Sequence, residues 1–360
     1  MIYFDNAATT RVCDKALAAA LPFLTDCYGN PSSTHKMGVV AKNAITHARE
    51  QCAKAINADP EQIIFTSGAT ESNNLVVNQF EYIIKSPYEH PSMYGREWGN
   101  LETDLNEADR AGVRQGLVSC VYVQSEIGTI FPVAEYAKIA HEHGWLFMTD
   151  CTQAFGHVPI DVKELDCDFL SISAHKVGGF KGVGILYIKD IEGFKDIACN
   201  LNKGGSQEYN IRSGTENVAG IVSAGVAFEE NNYDKHMDRL FANQKQELIQ
   251  GLRDKCPVNF IVNELKGYNH VNNICNISFE NINSESLTIL LNNADICVST
   301  KTACHSGSIE PSATLKAIGT PDNYLYGSIR ISLSVNNSLA EVEEFVDKVC
   351  ELIKILKEVQ

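Results

Sequence analysis

Between about residue 60 and residue 190 the chain alternates short apolar runs with helix-like stretches, and this rhythm restricts the possible folds more than any other feature. The runs Ile63-Ile64-Phe65, Val118 to Val123, Trp145 to Met148, Phe169 to Ile172 and Gly184 to Ile188 suit strands buried on both faces. Between them Leu75, Val76, Phe80, Ile83 and Ile84 fall at helical spacing, as do Ala134, Ala137, Lys138 and His141 less clearly. Such βαβ alternation predicts an α/β domain with a mostly parallel sheet and helices on both faces.

After about residue 230 the pattern changes. A long polar-apolar helix at roughly 234 to 254 leads to a strand at Asn272 to Phe279, a helix at Glu285 to Asn292, a strand at Gly327 to Ser334 and a closing helix. That last helix opens on Ser338-Leu339-Ala340-Glu341, a capping-box pattern, and carries Val342, Phe345, Val349, Leu352 and Leu356 on one face. Residues 14–232 are therefore assigned to a large domain, and 1–13 with 233–360 to a smaller α+β domain. The stretch Tyr94 to Gly116 is polar and offers no good strand.

With 44% hydrophobic and 21% charged residues, the 360-residue chain has the composition of a globular protein. Its 30 basic against 45 acidic side chains give a net charge of -15, which disfavours nucleic acid and anionic membranes as partners. A local site for one small anion is compatible with that balance. No run approaches the ~18 apolar residues of a spanning helix, and Met1-Ile2-Tyr3-Phe4-Asp5 lacks the marks of a signal peptide, so a cytoplasmic protein is expected. The twelve cysteines stand singly from Cys13 to Cys350 with no C-x-x-C pair, signalling neither a disulfide framework nor a metal site. Most are expected to be buried small hydrophobes.

Ligands of open α/β sheets gather beyond the carboxyl ends of the strands, and four such ends carry polar groups. Thr66-Ser67-Gly68-Ala69-Thr70-Glu71 places small residues before a helix start, which suits a phosphate as well as an ordinary N-cap. Thr149-Asp150-Cys151-Thr152-Gln153 sets an acid and an amide at a strand mouth, where the acid either caps the backbone or holds a ring nitrogen protonated, as pyridoxal 5'-phosphate (PLP) requires. Ser173-Ala174-His175-Lys176 precedes a glycine-rich turn. A lysine there is either a surface turn residue or an amine desolvated enough to form a Schiff base. Glu89-His90-Pro91-Ser92 offers an imidazole for ring stacking or proton transfer, or a loop histidine without a role.

Taken together these segments resemble the fold-type I PLP enzymes of the class V aminotransferase family, specifically the NifS/IscS-like cysteine desulfurases. The resemblance covers nearly the whole chain: Tyr3 to Thr10, Tyr28 to Ser33, Thr66 to Asn74, Asp150 to Gln153, Ser173 to Lys176, Arg212 to Asn217 and Gly327 to Arg330 match in order. It implies that Lys176 holds PLP and serves as base and acid, that Asp150 pairs with the ring nitrogen, that Gln153 bonds the phenolic oxygen and that His90 stacks on the ring. It further implies that Ala69, Thr70, Ser173 and His175 lie at the phosphate, with Thr215 reaching it from the other subunit of a homodimer. Arg330 would clamp the carboxylate of L-cysteine and Asn30 would border it. The alternative for Arg330 is a strand residue paired with an acid on the surface.

Val298 to Ser308 resembles the family's mobile-loop signature around Cys304, which would take the substrate sulfur as a persulfide and pass it to an acceptor such as an iron-sulfur scaffold. The neighbouring His305 and Lys301 favour a thiolate there. Three positions depart from the family. Ser125 stands where an asparagine is usual near the PLP phenolic oxygen, Phe180 interrupts the turn after Lys176, and the His90 to Ser125 interval is short, so that a rim strand and helix are expected to be trimmed. Another class V reaction (transamination, selenocysteine cleavage or racemisation) without a role for Cys304, and a degenerate PLP-fold binding protein, are the competing expectations. The sequence names neither the sulfur acceptor nor the pathway.

Overall fold

In the computed structural model, which describes residues 1–197, 202–300 and 311–359, the apolar runs of the first half become one sheet. Its seven strands lie in the order Ile63–Thr66, Gly184–Ile188, Phe169–Ser173, Leu146–Asp150, Leu117–Ser119, Ile83–Lys85 and Arg96–Glu97. Only Gly184–Ile188 runs antiparallel to its neighbours, and the remaining pairs are parallel. Every residue of Ile63–Thr66, Leu117–Ser119, Phe169–Ser173 and Gly184–Ile188 is buried, which explains why these strands read as continuous apolar runs.

The details correct the sequence pattern in three places. Ile83 and Ile84 are not helical: the helix is Ala69–Val77, and Ile83–Lys85 is a strand registered on Leu117, Val118 and Ser119. Short apolar runs fit both periods, and here pairing with a buried neighbour decides. Second, the run expected from Val118 to Val123 is a strand only over Leu117–Ser119, because Val123 already bridges Ile130. Third, the rim is present after all. Arg96–Glu97 forms the edge strand and Leu101–Arg110 a helix, capped by Asn100 Oδ1 accepting from Thr103 N at 3.0 Å. An edge strand faces water, so its residues are polar and give no apolar signal. Only Leu101 and Leu105 of that helix bury apolar side chains.

The chain divides into two compact units, Met1–Thr10 with Val123–Ile130 and Asp234–Gln360, and Arg11–Tyr122 with Phe131–Tyr233. The assignment of all of 14–232 to one domain thus differs at 123–130. That segment joins the first unit because Thr129–Ile130 pairs with Asn269–His270 and Ile127 packs with Leu315 and Leu325. The first unit is built on an antiparallel sheet, Phe260–Val262, Ile274–Phe279 and Ser328–Ser332. Helices Lys235–Lys255 and Leu339–Val359 pack together, and Leu248, Ile277, Phe279, Ile329, Ile331, Phe345 and Val349 share its core. The capping box forms as the sequence suggests: Ser338 N donates to Glu341 Oε2 at 2.8 Å and Glu341 N to Ser338 Oγ at 3.3 Å.

In the second unit helix Lys36–Ala55 packs on helix Val218–Glu230. Arg49 of the former is buried and donates to both oxygens of Glu208, at 2.9 and 2.6 Å, and to the carbonyl of Ile63. Glu208 Oε2 in turn accepts from Phe65 N at 2.7 Å, so the pair fixes the edge strand of the sheet to the helix layer. Removing one partner leaves the other charge buried and unpaired, at a cost of about 3–5 kcal/mol. The variant Arg49→Leu is therefore expected to lose that much stability in urea unfolding, and a loss below about 1 kcal/mol would contradict the role assigned to the pair.

Candidate active site

The second unit gathers polar side chains at the carboxyl ends of adjacent parallel strands. Helix Ala69–Val77 starts at Gly68, which sits at φ +151° with no side-chain cap. A Cβ on Gly184 would lie 2.7 Å from Gly68 Cα, so the absence of a side chain lets this loop cross the neighbouring strand closely. That approach brings Ser173, at the end of Phe169–Ser173, to the helix start, where its Oγ accepts from Ala69 N at 2.8 Å. Ala69, Thr70 and Ser173 thus meet at the positive end of a helix, a receptive place for an anion.

Lys176 and His175 follow at once in the single turn Ala174–Lys176. The His175 imidazole is pulled down to about 4, first by burial and then by the charges of Lys176 and Lys181. At neutral pH it is uncharged, carrying one N–H to donate.

Asp150 ends the central strand Leu146–Asp150 and is buried. Its Oδ1 accepts from Thr152 N at 2.9 Å and its Oδ2 from Asn73 Nδ2 at 3.1 Å. The same Asn73 amide donates to Ser92 Oγ at 2.8 Å, and Asn73 Oδ1 accepts from Ser171 Oγ at 2.6 Å. Ser92 closes the chain, with its Oγ 2.8 Å from His90 Nδ1 and its N–H donating to that nitrogen at 3.1 Å. A continuous hydrogen-bond path therefore runs from His90 through Ser92 and Asn73 to Asp150. Gln153 lies buried just beyond it.

Among the described residues Asp150 forms no ion pair, and the neighbouring Thr152 Oγ1 is buried without a partner. A buried carboxylate without a protein cation calls for a positive group from elsewhere. A protonated ring nitrogen meets that need, and the anion-receptive helix start with Ser173 and His175 suits a phosphate. The donor set fits PLP.

Glu89 was missed as a site residue, although it stands beside His90. Its Oε1 accepts from Ser119 Oγ at 2.7 Å, while Oε2 is buried without a partner. Burial chiefly, with the charge of Asp150 adding, pushes its carboxyl from 4.5 up to about 8 against the opposing bond from Ser119. Asn73, Ser92 and Ser171 were missed as well. Their signal is polarity inside apolar surroundings: Ser171 is the one hydroxyl within Phe169 to Ile172.

Asn30 and Thr215 lie on exposed loops. Asn30 Oδ1 accepts from Ser32 N at 2.9 Å, and among the described residues no hydrogen bond ties either side chain to the Asp150 or Ser173 groups.

In the first unit Arg330 is 1% exposed, which removes the surface ion pair as a reading, yet it does pair with an acid: its NH2 donates to Asp5 Oδ1 at 2.8 Å. Its NH1 donates to the Ser125 carbonyl at 2.9 Å, and its Nε is buried without a partner. Ser125 meets Arg330 through the main chain, so serine in place of asparagine leaves this contact intact. Ser299 Oγ donates to the same Asp5 oxygen at 2.8 Å. Cys304, His305 and Lys301 lie outside the described residues.

Residues 2–94 and 92–345 match the family described as Aminotransferase class-V. The chain belongs to that family. A "Cysteine desulfurase IscS" of Methanosarcina thermophila is 38% identical over 99% of this chain and 93% of its own length. A "Cysteine desulfurase" of Sinorhizobium fredii is 38% identical over 99% and 97%. The solved structure of a NifS-like protein aligns with TM-score 0.87 and 32% identity over 99% of this chain and 100% of its own. A second, described as SspA in complex with cysteine, aligns with TM-score 0.77 and 30% identity over 92% and 99%. The α/β fold expected from the strand rhythm is the fold of these solved structures.

The state of Glu89 is testable without cofactor. A carboxyl whose folded value is raised favours folding below its unfolded value, and that contribution fades as pH climbs to the folded value. The stability of the wild type relative to Glu89→Gln should therefore fall between about 4.5 and about 8 and then level off in urea unfolding at stepped pH. A difference that stays constant across that window would show Glu89 ionised in the fold.

Proposed function

We propose that the chain is a PLP-dependent cysteine desulfurase, which turns L-cysteine into L-alanine and takes the sulfur as a persulfide on Cys304. The observation that carries the substrate is likeness along 99% of the chain to relatives named for this activity. The buried, unpaired carboxylate of Asp150 supports the cofactor.

When bound, PLP supplies the sink for the electron pair left by the departing Cα proton. Lys176 Nζ would hold the cofactor and would take the Cα proton and later return one. Asp150 keeps the ring nitrogen protonated, its rotamer fixed by Thr152 N and Asn73. Ser92 orients the His90 ring for stacking, and Gln153 donates to the phenolic oxygen. Ala69 and Thr70 at the helix start, Ser173 and the uncharged His175 hold the phosphate, with Thr215 supplied across a homodimer.

Arg330 binds the substrate carboxylate, for which its Nε is an unused buried donor, and Asn30 borders the substrate. Cys304, as a thiolate favoured by His305 and Lys301, attacks the substrate sulfur. The carbon–sulfur bond breaks, the sulfur–sulfur bond forms, and protons delivered to the remaining carbons complete alanine. The persulfide then passes to an acceptor protein in the cytoplasm, of which an iron-sulfur scaffold is the expected kind. Among the described residues no helix is long and apolar enough to cross a membrane.

Alanine formation from L-cysteine by the wild type and by Cys304→Ser tests the assignment. The variant should fall to background while keeping the visible absorption of bound PLP. Equal alanine production by both proteins would remove Cys304 from the reaction and favour another class V chemistry.

A further inference from the structure

In the first unit the N-terminal segment is tied by backbone to the strand that carries Arg330. Strand Ile2–Tyr3 pairs in parallel with Ile296–Cys297. Phe4 N then donates to Cys297 O at 2.9 Å, and Phe4 O accepts from Ser332 N at 2.7 Å. Asn6 Nδ2 donates to the Ser332 carbonyl at 2.9 Å, so Asp5 is held on both sides against Ser332, the end of strand Ser328–Ser332. Ser299 reaches the same place through Arg330: its N–H donates to Arg330 O at 3.3 Å and its carbonyl accepts from Arg330 N at 2.6 Å.

On this frame two side chains converge on one oxygen. Asp5 Oδ1 accepts from Arg330 NH2 and from Ser299 Oγ, each at 2.8 Å. Arg330 NH1 donates to the Ser125 carbonyl at 2.9 Å, a main-chain acceptor from another segment of the same unit. A guanidinium on its long stem has many rotamers, and anchors on two of its nitrogens restrain the direction of its plane. Among the described residues its Nε is buried without a partner. A buried donor left unpaired is unfavourable until an acceptor arrives, and the anchors keep this one in place for it.

We propose that Asp5, steadied by Ser299, is a positioning residue that aims Arg330 at the substrate carboxylate and thereby makes the site select amino acids over simple amines. This rests on the assignment of carboxylate binding to Arg330. Asp5 acts on the guanidinium and not on the substrate. Its charge offsets that of a buried arginine, and its fixed oxygen gives the guanidinium a direction.

The expected effect follows from what the carboxylate meets. A guanidinium already aimed need not be ordered when the ligand binds, whereas one released from Asp5 must be, or the charge-assisted contact is lost. Such a contact corresponds to about tenfold to a hundredfold in affinity. The carboxylate takes no part in bond breaking, so its contact is alike before and during the chemistry, and the loss falls on KM rather than on kcat. Ser299 touches only the acid, and its removal has the smaller effect of the two.

The test titrates holoenzyme of the wild type, Asp5→Ala, Asp5→Asn and Ser299→Ala with L-alanine and with ethylamine, its counterpart without a carboxylate, reading binding from the change in visible absorption. Asp5→Ala should bind L-alanine at least about tenfold more weakly with ethylamine binding unchanged, and its KM for L-cysteine should rise in step while kcat is retained. Asp5→Asn keeps an acceptor oxygen and should restore most of the loss, and Ser299→Ala should weaken L-alanine binding alone. Unchanged L-alanine binding by Asp5→Ala, an equal loss for ethylamine, a fall in kcat at constant KM, or a wild type that binds L-alanine no better than ethylamine overturns the proposal. Where Asp5→Ala folds poorly Ser299→Ala decides, and L-alanine binding equal to the wild type's overturns it. A wild type that selects L-alanine yet forms no alanine from L-cysteine removes the desulfurase reading and leaves the Asp5 comparison standing.

Discussion

A carboxylate buried at the mouth of the central strand, with no ion pair among the described residues, anchors the polar network of the second unit. Burial of Asp150 is tolerable because Thr152 N and Asn73 Nδ2 bond its two oxygens, yet hydrogen bonds leave its charge uncancelled. The strands either side impose that position. Asp150 registers with Ser171, whose hydroxyl holds Asn73, and Asn73 carries the constraint through Ser92 to His90. The groups proposed to face the cofactor ring are thus held by one network before any ligand arrives, which lowers the cost of ordering them on binding.

The phosphate end is organised differently, by backbone rather than by a side-chain network. Gly184 and Gly68 permit a close crossing, and Ser173 Oγ, just before the lysine-bearing turn, accepts from the helix-start Ala69 N. In the first unit Arg330 draws Asp5 and the Ser125 carbonyl onto one buried guanidinium, so three segments distant in sequence share its position. Under the proposed reaction, proton transfer falls to residues of the second unit, and carboxylate recognition to Arg330 of the first.

The parallel sheet was legible because its strands are buried on both faces and read as apolar runs. Its rim was not, since Arg96–Glu97 is an exposed edge and Leu101–Arg110 buries only two leucines. Ile83 and Ile84 were misassigned because apolar residues on either side of a turn can fall at helical spacing by chance. Lys176, Asp150, His90 and Ser173 were singled out by their places after apolar runs and by family resemblance, and the structure joins His90 to Asp150 through hydrogen bonds. The residues that connect them were not, because Asn73, Ser92 and Glu89 acquire their meaning only from partners brought together by the fold. Segment 123–130 likewise joins the first unit through pairing with Asn269–His270, a contact that local composition does not encode.

The most direct test of the account is to locate PLP on the chain. Purified protein is reconstituted with PLP, reduced with borohydride and digested, and the pyridoxyl-bearing peptide is sequenced by mass spectrometry. The geometry around Asp150 and Ser173 predicts a single modified lysine, Lys176. Modification spread over surface lysines with Lys176 untouched, or no modification at all, would contradict it.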